Sequence, residues 1–249
     1  MTDQDFDNGL NQDPDEVPAH APATRAVDFA MILASSVHDM KNSLGMLLNS
    51  IDRLTELYPP QDIEHAQQMS QLQYETSRIN GELVQLLSLY RLQNDHLPVH
   101  VDCCFVSETI EDQIARNDAI FSVNNLRFSY QCDEDLSWFY DNDLVGGVIH
   151  NVLINAARYS NKQVDVTVAV TDDQLKIVIS DDGPGYPQAM LDAPDNFKRG
   201  ISFDTGSTNL GLYFAYHIAH LHQCNGAHGT IQLSNGGDLG GSIFTLILP

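Results

Sequence analysis

Basic residues are scarce in this chain: 12 lysines and arginines stand against 34 acidic residues, a formal charge of -22 over 249 positions. Such a field repels phosphate backbones and anionic lipid, so nucleic acid and membrane surfaces are poor partners for the body of the protein, although a local basic patch could hold a small anion. The acidity also fits a plain solubility or saline-environment requirement. No run of 18 apolar residues occurs. The N-terminus has no basic segment followed by an apolar core, so neither membrane insertion nor a signal peptide is expected and the cytoplasm is the default. Cysteine is sparse: Cys103 and Cys104 are adjacent, and Cys132 and Cys224 stand alone. That spacing excludes a paired zinc motif and a disulfide framework, and predicts reduced, mostly buried thiols. Hydrophobic content of 43% is enough for two modest domains or one large one.

Residues 1–25 are acidic and proline-bearing with no basic residue before Arg25, which predicts a disordered, solvated tail. From Ala26 to Tyr58 apolar residues recur at intervals of four and three, including Val37, Met40, Leu44, Leu47, Ile51 and Leu54, the seam of a bundle helix. Pro59 and Pro60 stop it. The same spacing returns from Asp62 to Gln93 through Leu72, Thr76, Ile79, Leu83 and Leu86, with Gly81 as its weak point. Two long helices joined by a few residues run antiparallel. One hairpin buries each stripe on one side only, so a homodimeric four-helix bundle is the economical expectation, and packing against the C-terminal part of the chain is the alternative. His38 lies at the flank of the seam with Asp39 beside it and Asn42 one turn on. By themselves these residues fit a polar helix surface as well as a reactive one.

Beyond residue 96 the periodicity changes. Strands are expected at 99–106, 125–131, 136–140, 163–170, 175–180, 230–233 and in the final SIFTLIL, with helices at 107–120, from an Asp141 or Asp143 cap to Arg158, and from Asn209 to His222. Helices on one face of a largely antiparallel sheet make a two-layer α/β sandwich. The long connection from Asp181 to Thr208, rich in Gly, Asp, Asn and Pro, reads as a functional loop.

Three polar clusters interrupt the apolar frame. Asn151 and Asn155 share a helical face, with Arg158, Tyr159 and Ser160 following. The Asn155 amide oxygen suits a hard divalent cation and Arg158 suits a phosphate, but a solvated polar face would look the same. Asp181-Asp182-Gly183-Pro184-Gly185 closes a strand and offers a carboxylate acceptor, suited to an exocyclic amine, beside a tight turn. Gly206-Ser207-Thr208-Asn209-Leu210-Gly211-Leu212 leads into a helix, pointing free N–H groups at an anion without the spacing of a P-loop. His217, His220, His222, Cys224 and His228 are dense but irregularly spaced, and read as surface histidines rather than a metal site.

Taken in order, HDMKN, NVLINAARYS, DDGPG, NLGL and the terminal GGSIFTLILP resemble the bacterial two-component sensor histidine kinases over about residues 26–249. The resemblance implies a dimerising phosphotransfer hairpin over 26–95 and an ATP-binding domain of the gyrase and Hsp90 type over 96–249, with a lid at about 186–209. It implies ATP and Mg2+ as cofactors, phosphorylation of His38, and passage of the phosphoryl group to an aspartate of a response-regulator receiver domain. Asp39 would orient the ring and take its proton, and Asn42 would assist a reverse phosphatase reaction. Asn155 would hold Mg2+ with Asn151 as companion, and Arg158 and Tyr159 would lie near the phosphates. Asp181 would take the adenine amino group, with Gly183 and Gly185 shaping the pocket, and Thr208, Asn209, Leu210, Gly211 and Leu212 would follow the triphosphate. Lys198 and Arg199 are the basic pair of the lid, and Phe197 or Phe203 its seating aromatic. Two departures stand out. Ser207 and Asn209 replace glycines expected two and four positions before Gly211, which implies altered lid dynamics and slow or absent autophosphorylation in a scaffold-like relative. No recognisable sensory module precedes the hairpin, so the input is expected from a partner protein, from the acidic tail, or from nothing at all.

Overall fold

The computed structural model describes residues 29–59, 62–93, 97–123, 125–192 and 210–249. The acidic tail, the Pro59-Pro60 connection beyond Pro59, and residues 193–209 of the expected lid, with Phe197, Lys198, Arg199, Phe203, Thr208 and Asn209, lie outside them.

Helices α1 (Phe29–Leu57) and α2 (Ile63–Gln93) pack against each other along the expected seams. Only part of each stripe is covered. Val37, Ile51 and Thr76 are buried, whereas Met40 (54%), Leu47, Leu54, Leu72 and Ile79 remain exposed. The alternative of packing on the C-terminal part of the chain also holds for the end of α2. Leu89 is buried in the α/β core, Leu92 packs against it, and α2 lies on α3 (Val106–Val123) and α6 (Leu210–Leu221).

The main sheet has the order β2 (Arg127–Gln131), β4 (Gln163–Thr171), β5 (Gln174–Asp181), β9 (Ser242–Leu248), β8 (Thr230–Asn235). β2 and β4 are parallel and every other pairing is antiparallel. The β4–β5 hairpin turns at Asp172 and Asp173, both at positive φ, a conformation short polar residues tolerate. The 99–106 segment shortens to β1 (Asp102–Phe105). It leaves the main sheet to pair with β3 (Ser137–Tyr140) in a separate ribbon. Two small elements were not expected: α5 (Gln188–Leu191) and the hairpin of β6 (Gln223–Cys224) with β7 (Ala227–His228). Helices α3, α4 (Asn142–Tyr159) and α6 form the second layer, and the core lies between them and the sheet.

The cap of α4 is Asp141 rather than Asp143. Its Oδ1 accepts the Leu144 N–H at 3.0 Å and its Oδ2 the His100 N–H at 2.8 Å. The Asp141 N–H in turn donates to His222 Nε2 at 3.0 Å, and His222 Nδ1–H donates to the Ile218 carbonyl at 2.8 Å. His222 is therefore a buried neutral strut joining the start of α4 to the end of α6, not a surface histidine. The four cysteines are free thiols as expected but not mostly buried: Cys103 and Cys224 are exposed, and Cys104 and Cys132 are half-buried.

Burial pushes the His222 pKa down, and the Ile218 bond and nearby Asp141 pull it back only in part. A histidine whose folded pKa is depressed contributes its full stability above the unfolded value of about 6.5 and loses it as pH falls through the folded value. The melting temperature is expected to fall between pH 7 and pH 5, with a shallower slope in His222→Asn. Burial also lowers His150 and His217, so some slope remains. Identical pH profiles for the two proteins in thermal unfolding would remove His222 from this role.

Candidate functional site

The alternation of β5 puts Leu175, Ile177 and Ile179 on the core face, and the same period carries Asp181 inward at the strand end. Its carboxylate is 4% exposed and held from one side. Oδ1 accepts the N–H groups of Gly183 at 2.8 Å and Ser242 at 3.2 Å, and Oδ2 accepts the Ser242 hydroxyl in a short bond. A carboxylate offers about four acceptor positions, so one position on Oδ2 remains for a ligand N–H. The backbone closes tightly around it. The Gly241 N–H donates to the Asp181 carbonyl at 3.1 Å, and Gly183 packs against the Tyr159 carbonyl at the end of α4.

Asp182 has a different task. Burial alone would raise its carboxyl, but the backbone N–H groups of Lys162, Gln163 and Asn161 carry it below its ordinary value. It ties the α4–β4 turn to the end of β5.

Gly185 has φ +80°, and a side chain there would also press on the Asn235 amide at 2.8 Å. Asn235 holds Tyr186 from both sides, its Oδ1 accepting the Tyr186 N–H at 2.7 Å and its Nδ2 donating to the Tyr186 carbonyl at 2.8 Å. The Tyr186 phenol bonds Ser242, and burial pushes it up to about 12. Because the Ser242 hydroxyl donates to Asp181, the phenol must donate to Ser242. Tyr186, Asn235, Gly241 and Ser242 were not among the expected site residues. The terminal GGS ahead of the last strand was the available signal for two of them.

Asn151 and Gly211 are in direct contact: a Cβ on Gly211 would collide with the Asn151 amide. Asn151 Nδ2 is buried and makes no hydrogen bond among the described residues. Asn155 sits one turn further on α4 with its side chain exposed, followed by exposed Arg158 and Tyr159. The Arg158 guanidinium lies 5.3 Å from the Tyr159 ring centroid. Tyr74 of α2 lies near both, and its buried hydroxyl is raised by burial while Arg158 opposes the shift. Leu210, Gly211 and Leu212 form the first turn of α6. The structure thus places Gly211 against Asn151 where α6 meets α4, and Gly183, bonded to Asp181 at the end of β5, against the end of α4, with Gly185 against Asn235.

Residues 140–249 match the family model described as histidine kinase-, DNA gyrase B-, and HSP90-like ATPase. This part of the chain resembles the ATPase domains of that family. By analogy with that family the match implies ATP and Mg2+. Residues 140–249 fit the nucleotide on two observations, the residual acceptor on Asp181 for an N–H and the unpaired Asn151 Nδ2 donor beside Gly211 for an anion, and the exposed Asn155 amide is the oxygen available to Mg2+. The chain is 27% identical over 202 residues to the adaptive-response sensory kinase SasA of Synechocystis, covering 77% of this chain and 53% of that protein. It is 27% identical over 183 residues to the sensor protein kinase GraS of Staphylococcus aureus, covering 71% and 50%. The chain therefore spans about half the length of the curated relatives it matches. The Acinetobacter baumannii histidine kinase AdeS superposes with a TM-score of 0.54 at 19% identity, over 85% of this chain and 96% of that one, a likeness of fold that takes in the helices before the ATPase domain as well. No described helix is long and apolar enough to cross a membrane.

His38 and its neighbours lie apart from this cluster in sequence, on α1. Asp39 Oδ1 is 3.5 Å from His38 Nδ1, and Asn42 Nδ2 is 3.3 Å from the same nitrogen. The imidazole is half exposed.

Proposed function

We propose that the chain is an ATP-dependent protein histidine kinase that phosphorylates its own His38 and passes the phosphoryl group to an aspartate of a response-regulator receiver domain. The reading rests on one conjunction. An ATPase domain of the histidine kinase type follows a helical hairpin whose exposed histidine carries a carboxylate and an amide at the same ring nitrogen.

In this reading residues 26–95 are the phosphotransfer unit and 96–249 the nucleotide unit. Asp181 accepts the adenine amino group while Ser242 and Gly183 hold its other acceptor positions. Gly185 and Tyr186 shape the base pocket. Asn155 would hold Mg2+ with Asn151 beside it, and Arg158, Tyr159 and residues 208–212 would lie along the triphosphate. Attack requires a lone pair at Nε2 of a neutral ring, so the proton must sit on Nδ1 and be offered to Asp39. The new N–P bond forms as the bond from the γ-phosphorus to the ADP oxygen breaks, and the Nδ1 proton passes to Asp39. Asn42 competes for the same nitrogen as a donor, which suits it to the reverse reaction, orienting water on a phosphorylated receiver. The exposed stripe of Met40, Leu47, Leu54, Leu72 and Ile79 is the surface a second copy would cover in a homodimeric four-helix bundle, and an upstream sensory protein is a further partner. The cytoplasm is the compartment this chemistry needs.

Incubating the full chain with γ-labelled ATP and Mg2+ should give an acid-labile, alkali-stable label that is absent in His38→Ala. Ser207 and Asn209 at expected glycine positions favour a second reading, a scaffold that binds nucleotide without transfer. Unlabelled wild-type protein under conditions of demonstrated nucleotide binding would select that reading and end the first.

A further inference from the structure

A cavity of about 290 Å3 lies where α2 of the hairpin crosses α3 and α4, with Phe214 of α6 at one wall. Among its lining residues are Gln85 and Gln113, which are 7% and 6% exposed and make no side-chain hydrogen bond to a described residue. Asn80 also lines it, and its buried Oδ1 is unpaired; behind Gln113 the Oδ1 of fully buried Asn117 is unpaired too. Asn80 Oδ1 is the one buried, unpaired atom of a lining residue among the described residues, a group that forfeits its hydration, and with the unpaired amides of Gln85 and Gln113 it offers hydrogen bonds to a polar occupant.

The backbone keeps that space open. Gly81 in α2 and Gly146 and Gly147 in α4 are helical glycines lining the same cavity, each costing a helix about 1 kcal/mol relative to alanine. A Cβ at Gly81 would meet nothing within 4 Å, one at Gly147 would make ordinary contact with the Phe214 ring at 3.9 Å, and one at Gly146 would crowd the Gln113 amide at 3.1 Å.

Charge defines the occupant. Arg116, Asp112 and Asp143 line it as exposed charged residues, and no ion pair joins Arg116 to either acid among the described residues. His150 accepts the Asn117 Nδ2–H at Nδ1, at 3.0 Å, leaving its Nε2–H as a further donor, and burial keeps the ring neutral by lowering its pKa. A bare cation would face Arg116 and a bare anion the two carboxylates. The volume is at the lower limit of ligand pockets, which run from about 300 to 1,000 Å3, and excludes a second nucleotide.

We propose that this cavity is an effector site for a free α-amino acid, whose carboxylate meets Arg116, whose ammonium group meets Asp143 and Asp112, and whose remaining polar atoms pair with Gln85, Gln113 and Asn80. Its occupant touches both the hairpin and the ATPase domain, so binding clamps α2 onto α3 and α4. Resting on the kinase reading, it thereby slows labelling of His38, a signal input needing no separate sensory module.

The twenty L-amino acids are titrated singly into the full chain by calorimetry and thermal unfolding. At least one should bind one-to-one and raise Tm by about 5 °C at about 100-fold excess over its Kd. Arg116→Gln should weaken it by about 10-fold or more. Gly81→Leu, which fills the cavity from a helix-favourable position, should abolish it while leaving fluorescent ATP-analogue binding unchanged. Failure of every amino acid to bind, or binding undiminished in Gly81→Leu, overturns the site. Binding lost in Gly81→Leu supports it even in protein that transfers no phosphate. Labelled His38 without amino-acid binding upholds the kinase and removes the effector site.

Discussion

Asp181→Asn should lower nucleotide affinity by about 100-fold. Oδ1 of Asp181 accepts two backbone N–H groups, so the asparagine oxygen must take that place. The new NH2 then replaces Oδ2, facing the Ser242 hydroxyl and the amine of the base with a donor where both need an acceptor. Losing one charge-assisted bond and setting donor against donor in a buried pocket costs about 2–3 kcal/mol, or about 30- to 150-fold in Kd. Titration with a fluorescent ATP analogue measures it, with far-ultraviolet circular dichroism as the check on folding. An affinity within about 3-fold of wild type, less than 1 kcal/mol, would remove Asp181 from base recognition. Tyr186→Phe is the useful companion, since it removes the donor to Ser242 while leaving Asp181 with all its own partners.

Gly241→Ala is expected to be the most destabilising small substitution in the C-terminal α/β unit. A Cβ there would collide with the Asp181 carbonyl oxygen and lie 2.6 Å from both Asp181 Oδ1 and the Gly183 N. Two of these are backbone atoms and the third, Asp181 Oδ1, is held by the Gly183 and Ser242 N–H groups, so the strands or the pocket must shift. Overpacking of this kind costs about 3 kcal/mol, which lowers Tm by roughly 10 °C in a domain of this size. Gly226→Ala tests the local cause, because its Cβ would meet nothing within 4 Å even though its φ of +81° carries backbone strain. If Gly241→Ala melts within about 2 °C of wild type, less than 1 kcal/mol, the close approach of β9 to Asp181 is not rigid.

Much of this architecture was legible from local pattern. The seams of α1 and α2, the alternation of β4 and β5 and the capping aspartate of α4 each depend on residues within one or two turns, and the elements formed within a few residues of their expected ends. Period two in β5 even aimed Asp181 inward. Strand 99–106 was harder. Its apolar residues fit either sheet, and only the pairing of Cys103 with Phe139 and Cys104 with Trp138 placed it in the side ribbon. His222 was misjudged for the same reason: a histidine at a helix end looks solvated until a distant amide, here that of Asp141, is brought to its ring.

By itself the sequence determined the helical hairpin, the order of the α/β elements, and the presence of His38, Asp39 and Asn42 on one helical surface, because helical and strand periodicities are short-range properties. Tertiary structure alone decided which groups complete the pocket. Ser242 reaches Asp181 across 61 residues through the β5–β9 register, Gly211 meets Asn151 where α6 crosses α4, and Gly81 of the hairpin faces Gly146 and Gly147 around one cavity. Those contacts depend on strand register and helix crossing, set by burial of the whole core, and no local repeat encodes them.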